Sequence, residues 1–108
     1  MATATPQIRS LDPVGVFKAL GHPARVTMVR ELAVGERCVC ELVQAAGLGW
    51  STVSRHLAVL RDAGVVSHEK RGLQVFYRLE LPCVTHFIRC LEAPATHPEL
   101  MRSACECR

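Results

Sequence analysis

Residues 49–79 read GWSTVSRHLAVLRDAGVVSHEKRGLQVFYRL, and the period of their apolar positions changes once, at Gly64. Before that glycine, Val53, Leu57 and Leu60 recur at the spacing of one helix face. After it, Leu73, Val75, Tyr77 and Leu79 alternate with Gln74, Phe76 and Arg78, the period of a half-buried strand. Lys70-Arg71-Gly72 separates this run from an earlier one at Val65-Val66, which predicts a β-hairpin with a basic tip. A helix over 49–63 followed by a two-stranded hairpin is the second half of a winged helix-turn-helix, so the first half should lie immediately upstream.

The upstream residues supply it. Asp12 is an N-cap before Pro13 at the first helical position, with Val14, Phe17 and Leu20 behind it and Gly21 as the stop. Pro23 opens a second helix with the stripe Val26, Val29, Leu32 and Ala33, ending at Gly35. A third carries Val39, Leu42, Val43 and Ala46 and stops at Gly47, one short turn before the helix of residues 49–63. Downstream of the hairpin, Pro82 starts a fifth helix with Val84, Phe87, Ile88 and Leu91 expected to face inward. The fold class is α+β and mainly helical. Residues 1–10 are expected to be a disordered start, 11–92 the winged helix-turn-helix domain, and 93–108, APATHPELMRSACECR after Glu92, a flexible tail containing cysteines.

A chain of 108 residues is one small domain, and 49% hydrophobic residues is more apolar surface than so short a fold easily buries alone, so a homodimer is expected. The formal charge of +3 permits nucleic acid as a partner without requiring it. No charge-free stretch approaches the roughly 18 residues that span a bilayer, so no membrane partner is expected. The first residues lack a basic cluster followed by an apolar run, which points to the cytoplasm. Six cysteines would suit a disulfide framework in a secreted chain, whereas in a reducing compartment thiols are more often ligands or sensors.

Two constellations carry chemistry. On the helix of 49–63, Ser51, Ser54, Arg55, Ala58 and Asp62 point away from the apolar stripe at about 100° per residue. Small side chains allow close approach to base edges, hydroxyls reach phosphates or bases, and Arg reads guanine in the major groove. The basic tip, Lys70 and Arg71, would meet neighbouring phosphates or the minor groove. His56, at the edge of the stripe, suits packing with one hydrogen bond as well as a DNA contact. Trp50 starts the helix and either packs on the preceding turn or lies near DNA.

The second constellation is ERCVCEL, residues 36–42. On an ideal helix Cys38 and Cys40 stand about 200° apart, flanking the stripe centred on Val39, so neither is expected in the core. Free N–H groups of a first helical turn and the adjacent Arg37 would favour thiolates, which prefer soft metals or metalloids. For both sulfurs to hold one ion, the first turn would have to unwind toward an extended form, deforming the helix next to the DNA reader. Cys83, His86 and Cys90 share a face able in principle to bind a metal or to pack at a dimer interface, and Cys105-Glu106-Cys107 is a second C-x-C. A thiol reductase would need C-x-x-C on a βαβ pattern, which is absent, so no enzyme is expected.

Three segments together resemble the ArsR/SmtB family of metalloregulators. Phe17-Lys18-Ala19-Leu20-Gly21-His22-Pro23-Ala24-Arg25 is similar to its opening F-K-A-L-x-x-P-x-R. Ser51-Thr52-Val53-Ser54-Arg55-His56-Leu57 resembles its reading helix S-x-V-S-x-H-L, and Cys38-Val39-Cys40-Glu41-Leu42 its E-L-C-V-C-D-L thiol box. The resemblance implies a homodimer through the first and last helices. It would bind double-stranded operator DNA through Trp50, Ser51, Thr52, Ser54, Arg55, His56, Lys70 and Arg71. It would release that DNA, derepressing a resistance operon, when arsenite or antimonite (As(III)/Sb(III)) or another soft metal ion binds Cys38 and Cys40.

Two departures qualify it. The third Cys of the arsenic type is replaced by Val43, so a third sulfur would come from Cys105, Cys107, Cys83, Cys90 or a small thiol, unless the ligand needs only two, as a methylated arsenical does. The N-terminal cysteines of the cadmium and lead type are missing, which favours arsenic and antimony over a cadmium- or lead-responsive repressor. A thiol-redox repressor of the same fold is the other alternative.

Overall fold

The computed structural model describes residues 11–92; the disordered start and the Cys105/Cys107 tail expected from the sequence lie outside the described residues. The elements run α1 (Pro13–Ala19), α2 (Pro23–Val34), β1 (Arg37–Cys38), α3 (Val39–Ala46), α4 (Trp50–Asp62), β2 (Val66–Arg71), β3 (Gln74–Leu79) and α5 (Cys83–Glu92). Local signals set most boundaries. The Asp12 carboxylate accepts from the Val14 N–H at 3.2 Å, closing the N-terminus of α1 ahead of Pro13. Gly47, at φ 69°, ends α3 in the left-handed conformation that a residue without Cβ adopts at little cost.

Met28, Val29, Leu42, Val53, Leu57, Leu60 and Val65 are fully buried and form one core with Ala19, Leu32, Val66, Tyr77 and Val84. The α2 stripe is rotated from its expected position: Met28 takes the core place given to Ala33, which is exposed. Ala58 is half-buried rather than outward, because it stands beside Leu57 on the helix and is too small to reach past its neighbours. Gly64, at φ +87°, turns the chain from α4 into the hairpin; a Cβ there would meet Leu11 Cδ2 at 2.7 Å.

The sheet is three-stranded and antiparallel in the order β1-β3-β2. Lys70 and Arg71 belong to β2 itself, opposite Val75 and Gln74, and the turn is Gly72-Leu73. Gly72 has φ 63°, the positive angle such a two-residue hairpin turn requires at its first position. Leu73 therefore lies at the tip rather than on the strand face, and it is 100% exposed.

The short strand β1 is the feature not anticipated: Arg37 pairs with Tyr77 and Cys38 with Phe76. It stitches the segment between α2 and α3 to the wing.

On α5 only Val84 is buried; Phe87 and Leu91 are exposed rather than inward. With Val14 and Phe17 of α1 they form an uncovered apolar face, Phe17 and Phe87 having ring centroids 5.9 Å apart. A groove of about 330 Å³ lies between the helices, lined by Leu11, Phe17, Leu20, Leu81, Val84 and Phe87 among others. Arg30 of α2 is ion-paired with Glu92 at the end of α5, which fixes the angle of that helix on the core.

Candidate nucleic-acid interface and thiol site

Helix α4 presents Ser51, Ser54 and Arg55 to solvent, as its wheel requires once Val53, Leu57 and Leu60 are buried. Trp50 stands at its first turn, 58% exposed. Thr52 and His56 are half-buried on its flank.

His56 is held within the protein. The Arg25 guanidinium, which has no acceptor, donates from Nη1 to His56 Nδ1 at 3.1 Å, so this nitrogen is unprotonated here. Arg25 Nε donates to the Ala19 carbonyl at 2.6 Å, and the His22 ring lies against that of His56 with centroids 4.4 Å apart. Burial first, then the neighbouring His22, Arg25 and Arg55, pushes the His56 pKa below its ordinary value. This bracket ties α4 to the α1–α2 turn and sets the angle at which the outer face is offered. Arg25 and His22, both within the Phe17–Arg25 motif, were legible as residues but not in this role.

The wing's two basic residues have unlike surroundings. Arg71 makes paired contacts with Glu36, Nη1 to Oε1 at 2.9 Å and Nη2 to Oε2 at 2.8 Å, and a further one with Glu69 at 2.9 Å. Its guanidinium lies 4.7 Å from the centroid of the Phe76 ring. Hydrogen bonds from Glu36 and then Glu69 raise the Arg71 pKa, and Arg71 in turn lowers that of Glu69. Arg78 approaches Glu36 at 3.5 Å. Among the described residues Lys70 takes part in none of the ion pairs.

The thiols stand differently from the expected helical arrangement. Cys38 is the N-cap of α3, extended at φ −80° and ψ 164°, and Cys40 is the helix's second residue. They are joined as a disulfide with Cα atoms 5.5 Å apart. The expectation that the sulfurs diverge while the helix is intact is overturned, because pairing with Phe76 holds Cys38 in a strand and the helix begins one residue later. Nor is Cys38 outside the core: it is buried, with its N–H donating to Glu41 Oε1 at 2.9 Å. Arg37 is engaged elsewhere, its Nη1 donating to the Glu36 carbonyl at 3.3 Å and its Nε 3.8 Å from Glu31.

Among the described residues no group of three or more His, Cys, Asp and Glu side chains could hold a metal ion, and this includes the Cys83, His86 and Cys90 face of α5. Cys83 is exposed.

What the sequence did not disclose is that thiols, reading helix and wing share one cavity. A pocket of about 390 Å³ is bounded by Cys38, Val39, Cys40, Trp50, Leu73, Gln74 and Val75. It sits between the α3 entry, the start of α4 and the hairpin tip.

Comparison with known proteins places this architecture. Residues 22–68 match the bacterial regulatory protein family named arsR. The HTH-type transcriptional repressor SmtB of Mycobacterium tuberculosis is 40% identical over 86 residues, covering 79% of this chain and 64% of the relative. The chain thus spans just under two thirds of that relative's length. The arsenic resistance transcriptional regulator ArsR2 of Pseudomonas putida is 40% identical over 79 residues, 70% of this chain and 69% of the relative. Among solved structures, the homodimeric winged helix-turn-helix DNA-binding domain Mb0332 of Mycobacterium bovis, described as a possible ArsR-family regulator, superposes with a TM-score of 0.68 at 28% identity, covering 80% of each chain. No helix among the described residues is long and apolar enough to cross a membrane. Fold, family match and covered relatives agree: the chain belongs to the arsR family of bacterial regulatory proteins and is a winged helix-turn-helix regulator, not an enzyme.

Proposed function

We propose that the chain is a homodimeric transcriptional repressor that holds double-stranded operator DNA and releases it when trivalent arsenic or antimony binds Cys38 and Cys40. Ser51, Thr52, Ser54 and Arg55 read the major groove, with Trp50 and His56 at the edges of that face and Lys70 and Arg71 on the flanking phosphates. The uncovered apolar face of Val14, Phe17, Phe87 and Leu91 supports dimerisation through α1 and α5. A dimer would address two half-sites about one helical turn, roughly 34–36 Å, or a multiple of it apart.

One observation carries the sensing role: Cys38 is a strand residue of the wing's own sheet. An ion on this pair acts on β3 through the Cys38–Phe76 pairing and on α4 through the α3 entry. Helix unwinding is therefore unnecessary. A coupling of about 1–3 kcal/mol would weaken DNA binding some 5- to 150-fold. Fluorescence anisotropy on the chain's own promoter region tests this. Arsenite should release wild type and leave Cys38→Ser and Cys40→Ser bound; release of all three alike would refute the assignment.

The disulfide supports a second reading, a thiol-redox repressor. Here Cys38 and Cys40 lose two electrons and two protons to an oxidant such as peroxide as the sulfur–sulfur bond forms. Peroxide, and not arsenite under a phosphine reductant, would then release the DNA.

A further inference from the structure

We infer that the site takes a trivalent arsenical bearing one organic group, with arsenic on Cys38 and Cys40 and the organic group in the adjoining pocket. The inference rests on the proposed thiol site and specifies its ligand. Trivalent arsenic makes three bonds. Two sulfurs are available here, and among the described residues no third His, Cys, Asp or Glu completes a cluster. A carbon substituent already occupies the third valence and asks nothing further of the protein.

The surroundings suit such a group. Apart from the cysteines, the pocket of about 390 Å³ is walled by Val39, Trp50, Leu73 and Val75, with Gln74 the one polar side chain and no charged residue. An apolar cavity of about 150 Å³ already accommodates a benzene ring. Leu73 at 100% and Trp50 at 58% exposure are large apolar side chains left in water at the rim. A phenyl substituent would cover both and meet the indole at the offset or edge-on geometry that aromatic pairs prefer. Inorganic arsenite would instead present a hydroxyl to the same wall, where the Gln74 amide is the one side-chain partner for it.

The chemistry balances without a redox change at arsenic. With Cys38 and Cys40 as thiols, phenylarsonous acid condenses with both: two As–O bonds break, two As–S bonds form, and two water molecules leave carrying the thiol protons. The As–C bond is untouched.

Trp50, the single tryptophan, reports occupancy directly. Its fluorescence is titrated with phenylarsonous acid and, separately, arsenite, in a phosphine reductant that keeps the thiols reduced without competing as a dithiol would. Leu73→Ser is the chosen variant because the side chain is fully exposed and contributes nothing to the core. It should raise the phenylarsonous acid Kd by about fivefold or more while moving the arsenite Kd by less than about twofold, as loss of apolar cover requires. Intact-mass spectrometry should give one phenylarsenic per chain in wild type and none in Cys38→Ser/Cys40→Ser. Equal shifts for the two arsenicals, or none, would overturn the pocket while leaving the thiol site standing. Failure of both to bind wild type would remove the thiol site and this inference together.

Discussion

The sharpest test of the wing is the salt dependence of DNA binding, because Lys70 and Arg71, adjacent in sequence, are electrostatically unlike. Each phosphate neutralised by a lysine or arginine steepens the fall of log K against log salt by about 0.9, so one contact is worth about 3.5-fold, and one per wing of a dimer about 12-fold, between 50 and 200 mM salt. Lys70 takes part in none of the described ion pairs and should contribute in full. Arg71 already faces two carboxylates, Glu36 at 2.8 Å and Glu69 at 2.9 Å, and must surrender part of that pairing to engage a phosphate. Anisotropy titrations of an operator duplex across this salt range should show Lys70→Ala lowering the slope by about 1.8 per dimer and Arg71→Ala by clearly less. Glu36→Gln should steepen the wild-type slope by releasing Arg71. Equal losses for the two alanine variants, or an unchanged slope in Glu36→Gln, would refute the idea that the Glu36 segment withholds Arg71 from DNA.

Three further outcomes follow from the structure. Leu57→Ala, which opens a cavity beneath α4 at a fully buried position, should cost about 2–5 kcal/mol in urea unfolding at fixed protein concentration. Phe17→Glu should shift the chain from dimer to monomer by sedimentation velocity, since a carboxylate on the α1–α5 face cannot be buried unpaired against a second copy. His56 titrates below its ordinary value of 6.5 in the folded chain, so on acidification the unfolded chain takes up the proton first. Its stabilisation is whole above about 6.5 and is lost as pH falls from there through the lower folded value. Urea unfolding between pH 8 and 5.5 should show that loss in wild type and a smaller one in His56→Gln; identical pH profiles would contradict the depressed titration.

The wing and the thiols are connected through backbone rather than through one long contact. Cys38 lies opposite Phe76 on β3, the Arg71 guanidinium lies over the Phe76 ring, and Glu36, two residues before Cys38, grips Arg71. A ligand that repositions Cys38 therefore acts on the phosphate-facing edge of the hairpin and on the first turn of α4 through Trp50. The same arrangement explains why a neutral pocket wall matters: the charged groups of the wing are paired on one side of the hairpin, leaving apolar side chains on the side that faces the sulfurs.

By itself the sequence determined the parts whose causes are local. Apolar spacing of 3.6 and then 2, Asp12-Pro13 and Pro23 at helix starts, and Gly47 and Gly72 where φ must be positive specify α1 to α5 and the hairpin within a residue or two. The outward Ser51, Ser54 and Arg55 followed from Val53, Leu57 and Leu60 alone. Tertiary structure decided whatever depends on a distant partner. A two-residue strand has no period to detect, so β1, and with it the meeting of Cys38 and Cys40, exists because β3 offers an open edge to Arg37 and Cys38. Periodicity marked Phe17, Phe87 and Leu91 as apolar faces but could not say that their own core leaves them uncovered, since a helix wheel does not identify what lies against it. The pocket between thiols, Trp50 and Leu73 is of the same kind: three segments bring its walls together, and only their packing makes them one site.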